Sequence, residues 1–127
     1  MRIKLSSIMV GNQNHALRFY TEVLGFIKKK DIPMGEARWL TVASPEAPDD
    51  VELLLEPNGN PAARLYQKAL YDQMIPLTAF EVDDIHGEYE RLVQLGVKFL
   101  CEPTRADSVT ITILDDTCGN YIQLYQV

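Results

Sequence analysis

Hydrophobic positions in the first half of the chain switch between the spacing of strands and that of a helix. Residues 3–10 are rich in β-forming side chains, which predicts a strand. Apolar residues then recur at helical spacing over 13–24, with Asn12 in the position of an N-cap and Gly25 in that of a left-handed C-cap. Three further strands are predicted, one opening at Phe26-Ile27 and two over 36–43 and 51–56. The first half therefore has the expected order β-α-β-β-β.

A connecting helix is expected between the halves, over residues 61–74, because Pro61 suits the first position of a helix. Several side chains of this segment share one helical face: Ala62, Leu65, Tyr66, Ala69 and Gln73. Two tyrosines, Tyr66 and Tyr71, are interpreted as packing residues rather than binding residues.

The second half repeats the pattern of the first. A strand is predicted over 77–82, a helix between Asp83-Asp84 and Leu95-Gly96, and strands over 97–101, 109–114 and 121–127. The segment 115–120 is typical of a hairpin turn, in which Gly119 and Asn120 are expected to take positive φ angles.

The two halves also share short segments of similar sequence. The triplets Val10-Gly11-Asn12, Leu24-Gly25-Phe26 and Val51-Glu52-Leu53 have counterparts 71 or 72 positions later. We therefore predict an α+β fold of tandem βαβββ repeats, with curved mixed sheets around a cup and helices on the outside. The chain is interpreted as a single domain, 1–127, with repeat one over about 1–57, the connecting helix over about 60–75 and repeat two over about 77–127.

Composition narrows the class of protein. The 127 residues are 46% hydrophobic and 24% charged, which is typical of a globular domain. No apolar run approaches the roughly 20 residues of a membrane span, and the N-terminal segment lacks the apolar core of a signal peptide, so a cytoplasmic location is expected. The net charge of −6 argues against nucleic-acid and anionic-membrane partners, and the basic run Lys28–Lys30 is interpreted as a solvated strand or loop. The cysteines, Cys101 and Cys118, are expected to be reduced.

Several segments together resemble one known family. They are ALRFYTEVLGF at 16–26, AFEVDDI at 79–85, the Leu-Gly-Val at 95–97, and DTCGNYIQL at 116–124. In this order and spacing they resemble the vicinal oxygen chelate superfamily, which includes glyoxalase I, extradiol dioxygenases and bleomycin-resistance proteins. The resemblance covers nearly the whole chain and implies the fold inferred above.

In the metal enzymes of that superfamily, each half supplies one ligand from its first strand and one from its last. Carried over by spacing, these positions correspond to Leu5, Glu52, Leu77 and Gln123. Two leucines and a neutral amide are not ligands for a divalent metal, and one carboxylate does not hold a catalytic ion. The resemblance therefore implies a metal-free member with no cofactor.

Candidate ligand-binding residues follow from the same register. Trp39 could stack on a planar ligand, with its neighbour Arg38 on the opposite face of the strand, and Glu52 could pair with a cationic one. Alternatively, Trp39 is a core or dimer residue and Glu52 is hydrogen-bonded to Gln123 or to a neighbouring strand. The full predicted set is Met9, Trp39, Glu52, Leu54, Gln123 and Tyr125. His15 and His86 are interpreted as surface residues on the first turns of helices.

Three functions remain open at this point. The first is a homodimeric protein, like the metal-free bleomycin-resistance branch, that binds a small planar or cationic molecule for sequestration or resistance. The second is an enzyme of lyase, isomerase or dioxygenase type that uses a displaced metal or Glu52, with a pKa raised by Leu5 and Leu77. The third is a module whose sheets serve only dimerisation.

Overall fold

The computed structural model describes residues 1–127, and the elements follow in the predicted order. The strands are β1 Leu5–Val10, β2 Ile27–Met34, β3 Ala37–Ala43, β4 Glu52–Pro57, β5 Thr78–Glu81, β6 Phe99–Ala106, β7 Val109–Asp115 and β8 Tyr121–Gln126. The helices are α1 Gln13–Arg18, α2 Pro61–Asp72 and α3 Ile85–Gln94, and a π-helical turn covers Phe19–Val23. The chain divides into two compact units, Met1–Arg64 and Leu65–Val127.

Unit one contains a four-stranded mixed sheet in the order β1-β4-β3-β2. The β1–β4 pair is parallel and the other two pairs are antiparallel. The helix begins as predicted, since the Asn12 side chain accepts a hydrogen bond from the His15 amide at 2.9 Å. It ends at Gly25, whose φ of 91° is the left-handed conformation that glycine adopts at low cost.

One face of this sheet forms the core of unit one. Its fully buried side chains are Ile8, Val10, Leu40, Val42 and Leu55, and the helical segment buries Ala16, Phe19 and Tyr20. The Gln13 amide fixes α1 to the sheet by donating to the carbonyl oxygens of Arg38 at 2.7 Å and Leu55 at 2.9 Å. Because side chains alternate along a strand, the residues between these core positions point to the opposite face.

Unit two repeats the topology in the order β5-β8-β7-β6, again with one parallel pair, β5–β8. The predicted α+β architecture with two mixed four-stranded sheets is confirmed. Its core includes Ile85 and Leu92 of α3 with Leu114, Ile122 and Leu124 of the sheet. The strand predicted over 97–101 begins later, at Phe99, because the Val97 amide still caps the preceding helix by donating to the Leu92 carbonyl at 3.0 Å.

The hairpin between β7 and β8 forms as predicted, but its left-handed residues are only partly those expected. Gly119 has a φ of 102°, whereas the second left-handed position is Thr117, with a φ of 60°, and not Asn120. Asn120 is instead buried, and both its backbone amide (3.0 Å) and its side-chain amide (2.8 Å) donate to the Asp116 carboxylate. Asp116, itself fully buried, also accepts from the Cys118 amide at 2.7 Å. This network holds Asn120 in place, so the prediction for Asn120 is wrong.

Helix α2 lies where predicted but does not bury the apolar face read from the sequence. Leu65 is 72% exposed and Tyr66 60% exposed, so the packing prediction for Tyr66 is wrong. The side that packs carries Gln67, which donates to the Cys118 carbonyl at 3.2 Å and the Asn120 side chain at 3.0 Å. None of the helices combines the length and hydrophobicity that a bilayer span requires.

Candidate functional site

A groove opens on the face of the unit-one sheet opposite the core, beside the N-terminal ends of β1 and β4. Its volume is about 360 Å³, within the range of small-molecule sites. The lining residues come from the four strands, from the residue before β1 and from the loop between β3 and β4: Lys4, Leu5, Lys29, Lys30, Trp39, Pro48, Asp49, Asp50 and Glu52. The first repeat alone therefore supplies the walls of this groove.

A β-bulge directs two lysines into the groove. Lys28 pairs with Val42 and Lys30 pairs with Thr41, so Lys29 is an extra residue in β2 with no partner of its own in β3. In a regular strand, Lys29 and Lys30 would point to opposite faces. The bulge interrupts this alternation, and both side chains line the groove. The basic run is therefore part of a cavity wall as well as an exposed strand.

Glu52 belongs to a small polar ring with Thr41 and Lys30. The Thr41 hydroxyl donates to Glu52 Oε1 at 2.6 Å and accepts from the Lys30 backbone amide at 3.1 Å. The Lys30 ammonium Nζ lies 3.4 Å from Glu52 Oε2, which closes the ring. Of the alternatives drawn from the sequence, the one observed for Glu52 is the hydrogen bond to a neighbouring strand.

This ring favours the ionised form of Glu52. The hydrogen bond from Thr41 has the largest effect on the pKa of Glu52 and lowers it. Burial has the next largest effect and raises this pKa, while the hydrogen bond and charge of Lys30 lower it, so that the pKa is lowered on balance. The expectation that Leu5 and Leu77 raise this pKa is therefore wrong. A general acid or base for neutral pH needs a pKa near 7, so the arrangement does not suit Glu52 for proton transfer.

Contacts of Asp49 attach the β3–β4 loop to the rest of the groove. The Lys4 ammonium donates to the Asp49 carbonyl at 2.7 Å, and the Lys29 ammonium lies 3.3 Å from Asp49 Oδ1. The Asp49 side chain is 95% exposed, so this ion pair is screened and contributes little to stability. Together, the two contacts place Asp49 beside Lys4 and Lys29 in the wall of the groove.

Trp39 provides the aromatic surface of the groove. It is half-buried and lies opposite Ile32 in the β2–β3 pair. Its neighbour Arg38 points elsewhere and forms two hydrogen bonds with the Asp31 carboxylate, at 2.9 and 3.1 Å. Of these two residues only Trp39 lines the cavity, as the alternation of strand side chains predicts.

The six predicted ligand-binding residues are divided between the two units. Trp39 and Glu52 line the groove together. Leu54 lies further along the same face of the unit-one sheet, opposite Ser7 and Thr41, and Met9 lies near the far end of β1. The other two, Gln123 and Tyr125, lie on β8 of unit two. The lysines, Thr41 and Asp49 were not among the predicted site residues, because nothing in the sequence indicates the bulge.

A sequence model of the Glyoxalase/Bleomycin resistance protein/Dioxygenase superfamily matches residues 2–124. The chain belongs to this superfamily. It is 55% identical over 126 residues to the uncharacterized protein YurT of Bacillus subtilis (strain 168), with 99% of each chain covered. Among solved structures, UcmS2 is 33% identical with a TM-score of 0.84, and 98% of this chain and 97% of that chain are covered. TnmS3, described as an antibiotic binding protein from Streptomyces sp. CB03234, is 29% identical with a TM-score of 0.77, and the match covers 99% of this chain and 95% of that chain.

The positions that the sequence resemblance assigns to metal ligands do not supply a set of donor atoms for a divalent ion. Leu5 lies opposite Glu52 in the β1–β4 pair, so the strands are in register but one of the two positions has no donor atom. In unit two, Gln123 lies opposite Ala79, whereas the Leu77 amide bonds to the Tyr121 carbonyl at 2.9 Å. Across all 127 residues, no group of three or more His, Cys, Asp or Glu side chains is arranged to hold a metal.

The two histidines and the two cysteines do not line the groove. His15 and His86 are exposed on the first turns of α1 and α3. Cys101 is exposed, and Cys118 is buried in the β7–β8 hairpin, where desolvation and the nearby Asp116 charge raise its pKa to about 12. A thiol with so high a pKa is not a nucleophile at neutral pH.

Proposed function

We propose that this protein binds a small planar molecule in the unit-one groove, with the ring of the ligand against Trp39 and no metal involved. The observation that carries the proposal is the half-buried indole in a groove of about 360 Å³ whose polar wall is already ordered by the Glu52–Thr41–Lys30 ring. Aromatic rings stack favourably on such a surface. The description of TnmS3 as an antibiotic binding protein supports a role in sequestration or resistance.

Because Trp39 is the only tryptophan, its fluorescence reports on this groove alone. We expect planar aromatic compounds to quench it and to raise the melting temperature, as any ligand of the folded state does. Trp39→Leu should weaken binding about tenfold, in line with the energy of an aromatic contact together with the buried area it provides. Tyr66→Leu, which removes an exposed aromatic side chain outside the groove, is the control. Equal affinity of wild type and Trp39→Leu, measured by calorimetry, would refute the role of Trp39.

The metal-free part of the proposal rests on the donor atoms. Leu5 lies opposite Glu52, and both Glu52 oxygens already have partners. We expect calorimetric titration of chelator-stripped protein with Ni²⁺, Zn²⁺, Mn²⁺ and Fe²⁺ to give no binding tighter than about 0.1 mM. Stoichiometric micromolar binding would contradict this and would favour the enzyme alternative with a displaced metal site.

Met9 and Leu54 remain predicted ligand contacts further along the unit-one sheet, and Gln123 and Tyr125 remain predicted contacts on the unit-two sheet. Single alanine variants at these four positions, titrated with a compound that binds the wild type, test each of them. An unchanged affinity removes the residue from the predicted set.

The protein is also proposed to form a homodimer. β2 is an edge strand, and it carries Ile32 (51% exposed) and Met34 (57% exposed) on the face that also bears Trp39. Exposed apolar side chains at a sheet edge are typical of association surfaces. In sedimentation velocity, we expect wild type to be dimeric and Ile32→Asp/Met34→Lys to be monomeric. Val93→Asp, which charges an exposed position on α3, is the control, and a wild-type monomer at micromolar concentration would exclude the dimer.

A further inference from the structure

At Glu52, the two carboxylate oxygens already have partners, whereas the neighbouring lysines keep N–H donors for a ligand. Glu52, the inner carboxylate, accepts from Thr41 at 2.6 Å through one oxygen and contacts the Lys30 ammonium at 3.4 Å through the other. A cationic ligand would have to compete with the Lys30 ammonium for Glu52. Because Lys30 is part of the protein chain, it remains next to Glu52 during this competition. Glu52 is therefore a poor partner for a cationic ligand.

The ammonium groups, in contrast, retain unused donors. An ammonium has three N–H donors, and the contacts of Lys29 and Lys30 described above each involve one carboxylate oxygen. The Lys30 side chain is 53% exposed and the Lys29 side chain 27% exposed, so a ligand in the groove can reach both. Both belong to the same bulge and share the groove with Trp39.

Two further carboxylates lie on the wall formed by the β3–β4 loop. Asp49 is engaged with Lys29 and is almost fully exposed, and Asp50 is also exposed. Solvent and salt screen all of these charges, so the preference for an anion comes from the hydrogen bonds that Lys29 and Lys30 can donate to it at contact distance. Lys4, the third lysine of the lining, adds a positive charge next to Asp49.

We propose that the planar ligand carries an acidic oxygen group, a carboxylate or a phenolate, which accepts hydrogen bonds from Lys30 and Lys29 while the ring lies against Trp39. This inference rests on the proposed function and narrows its ligand class from planar molecules to planar anions, in place of the cationic ligand that the sequence also suggested.

Three compounds with the same ring test this inference: naphthalene-2-carboxylate, naphthalene-2-carboxamide and 2-naphthylmethylammonium. Calorimetric titration should give a carboxylate affinity about tenfold higher than that of the carboxamide, the size expected for hydrogen bonds to a charged group. The ammonium compound should bind most weakly. Raising the ionic strength should reduce the affinity of the carboxylate and leave that of the carboxamide unchanged.

Lys30→Gln should reduce the preference for the carboxylate over the carboxamide from about tenfold to about threefold, because one of the two ammonium donors is lost. Lys28→Gln is a closely matched control, since it removes the same charge from a side chain with the same 53% exposure that lies outside the groove. The control should keep the full preference. Lys29→Gln gives an independent second variant, with an intermediate preference, should Lys30→Gln fail to fold.

The outcomes separate the two proposals. If the three compounds bind with equal affinity, or the ammonium compound binds best, the acidic-ligand inference is wrong while a planar-ligand site survives. If Lys28→Gln and Lys30→Gln lose the preference equally, net charge and not the groove explains it, and the inference fails in the same way. If none of the three binds or quenches Trp39, both the inference and the proposed function fail.

Discussion

The two units share a strand order, but the equivalent ends of their parallel strand pairs are filled differently. In unit one, the start of β4 faces the groove, with Glu52 held by Thr41 and Lys30. In unit two, the start of β8 is covered by α2: the ring of Tyr71 stacks on Tyr121 with centroids 4.4 Å apart and nearly parallel planes. Duplication of a fold thus preserves the backbone pattern while the side chains decide which copy keeps an open surface.

The charged groups at these two ends also differ. In unit two, the Tyr71 hydroxyl donates to the Asp115 carboxylate at 2.6 Å, and this hydrogen bond is the largest cause of the raised pKa of Tyr71. In unit one, the hydroxyl that donates to the carboxylate is that of a threonine, which is too small to cover the sheet. Each unit therefore has a hydroxyl that donates to a carboxylate. Only in unit two does the residue that carries the hydroxyl, Tyr71, also cover the end of the sheet.

Tyr71→Ala should make the end of unit two resemble that of unit one. It removes the stacked ring and the hydrogen bond to Asp115, and we expect the free energy of unfolding to fall by about 2–3 kcal/mol. Chemical denaturation measures this change. Tyr71→Phe keeps the ring and should cost only about 1 kcal/mol. Equal losses for the two variants would mean that the hydroxyl, and not the ring, covers this end.

Thr41→Val tests the polar ring of unit one. Thr41 is fully buried, and the valine would leave the Lys30 amide and Glu52 Oε1 without their hydroxyl partner. We expect a loss of about 1–2 kcal/mol in the free energy of unfolding, together with weaker binding in the groove because Lys30 is no longer positioned. Thr41→Ser retains the hydroxyl and should retain the affinity. Full affinity in Thr41→Val would show that the ring does not order the wall.

The smallest expected effect is the pH dependence contributed by Glu52. Its pKa is lowered in the folded protein, so the stability it contributes is present above the ordinary glutamate pKa of about 4.5 and is lost as the pH falls through the folded value. Between pH 5 and pH 3, wild type should therefore lose more stability than Glu52→Gln, by less than about 1 kcal/mol because the group is partly exposed. Parallel pH profiles of the two proteins in denaturation experiments would refute this contribution.

Most of the secondary structure could be predicted because the signals are local. Asn12 caps α1, Gly25 and Gly96 end helices with positive φ angles, and the order of strands follows from the repeated text. The exposed face of α2 could not be predicted, because its apolar spacing is that of a buried face. The opposite side of α2 is buried because the Gln67 side chain bonds to Asn120, 53 residues away in the sequence. No local sequence pattern encodes such a contact.

The candidate site was predictable only in part, for a similar reason. Trp39 and Glu52 stand out by residue type and strand register, and both line the groove. The lysines were missed because three consecutive basic residues on a strand normally indicate a solvated surface. Their role depends on a register shift between β2 and β3, and a register belongs to two strands and not to one segment of sequence.

The bulge at Lys29 has an evolutionary consequence. Because one extra residue brings two ammonium groups to the same side of β2, deletion of that residue would leave a regular strand, with Lys28 opposite Val42 and Lys30 opposite Thr41 as before, and would remove the second ammonium from the groove. Relatives can therefore gain or lose the second ammonium group through a change of one residue in strand length, without a change in the pairing of the rest of β2. Loop and strand lengths around β2, more than the identity of single residues, should then divide the superfamily members that share this groove from those that do not.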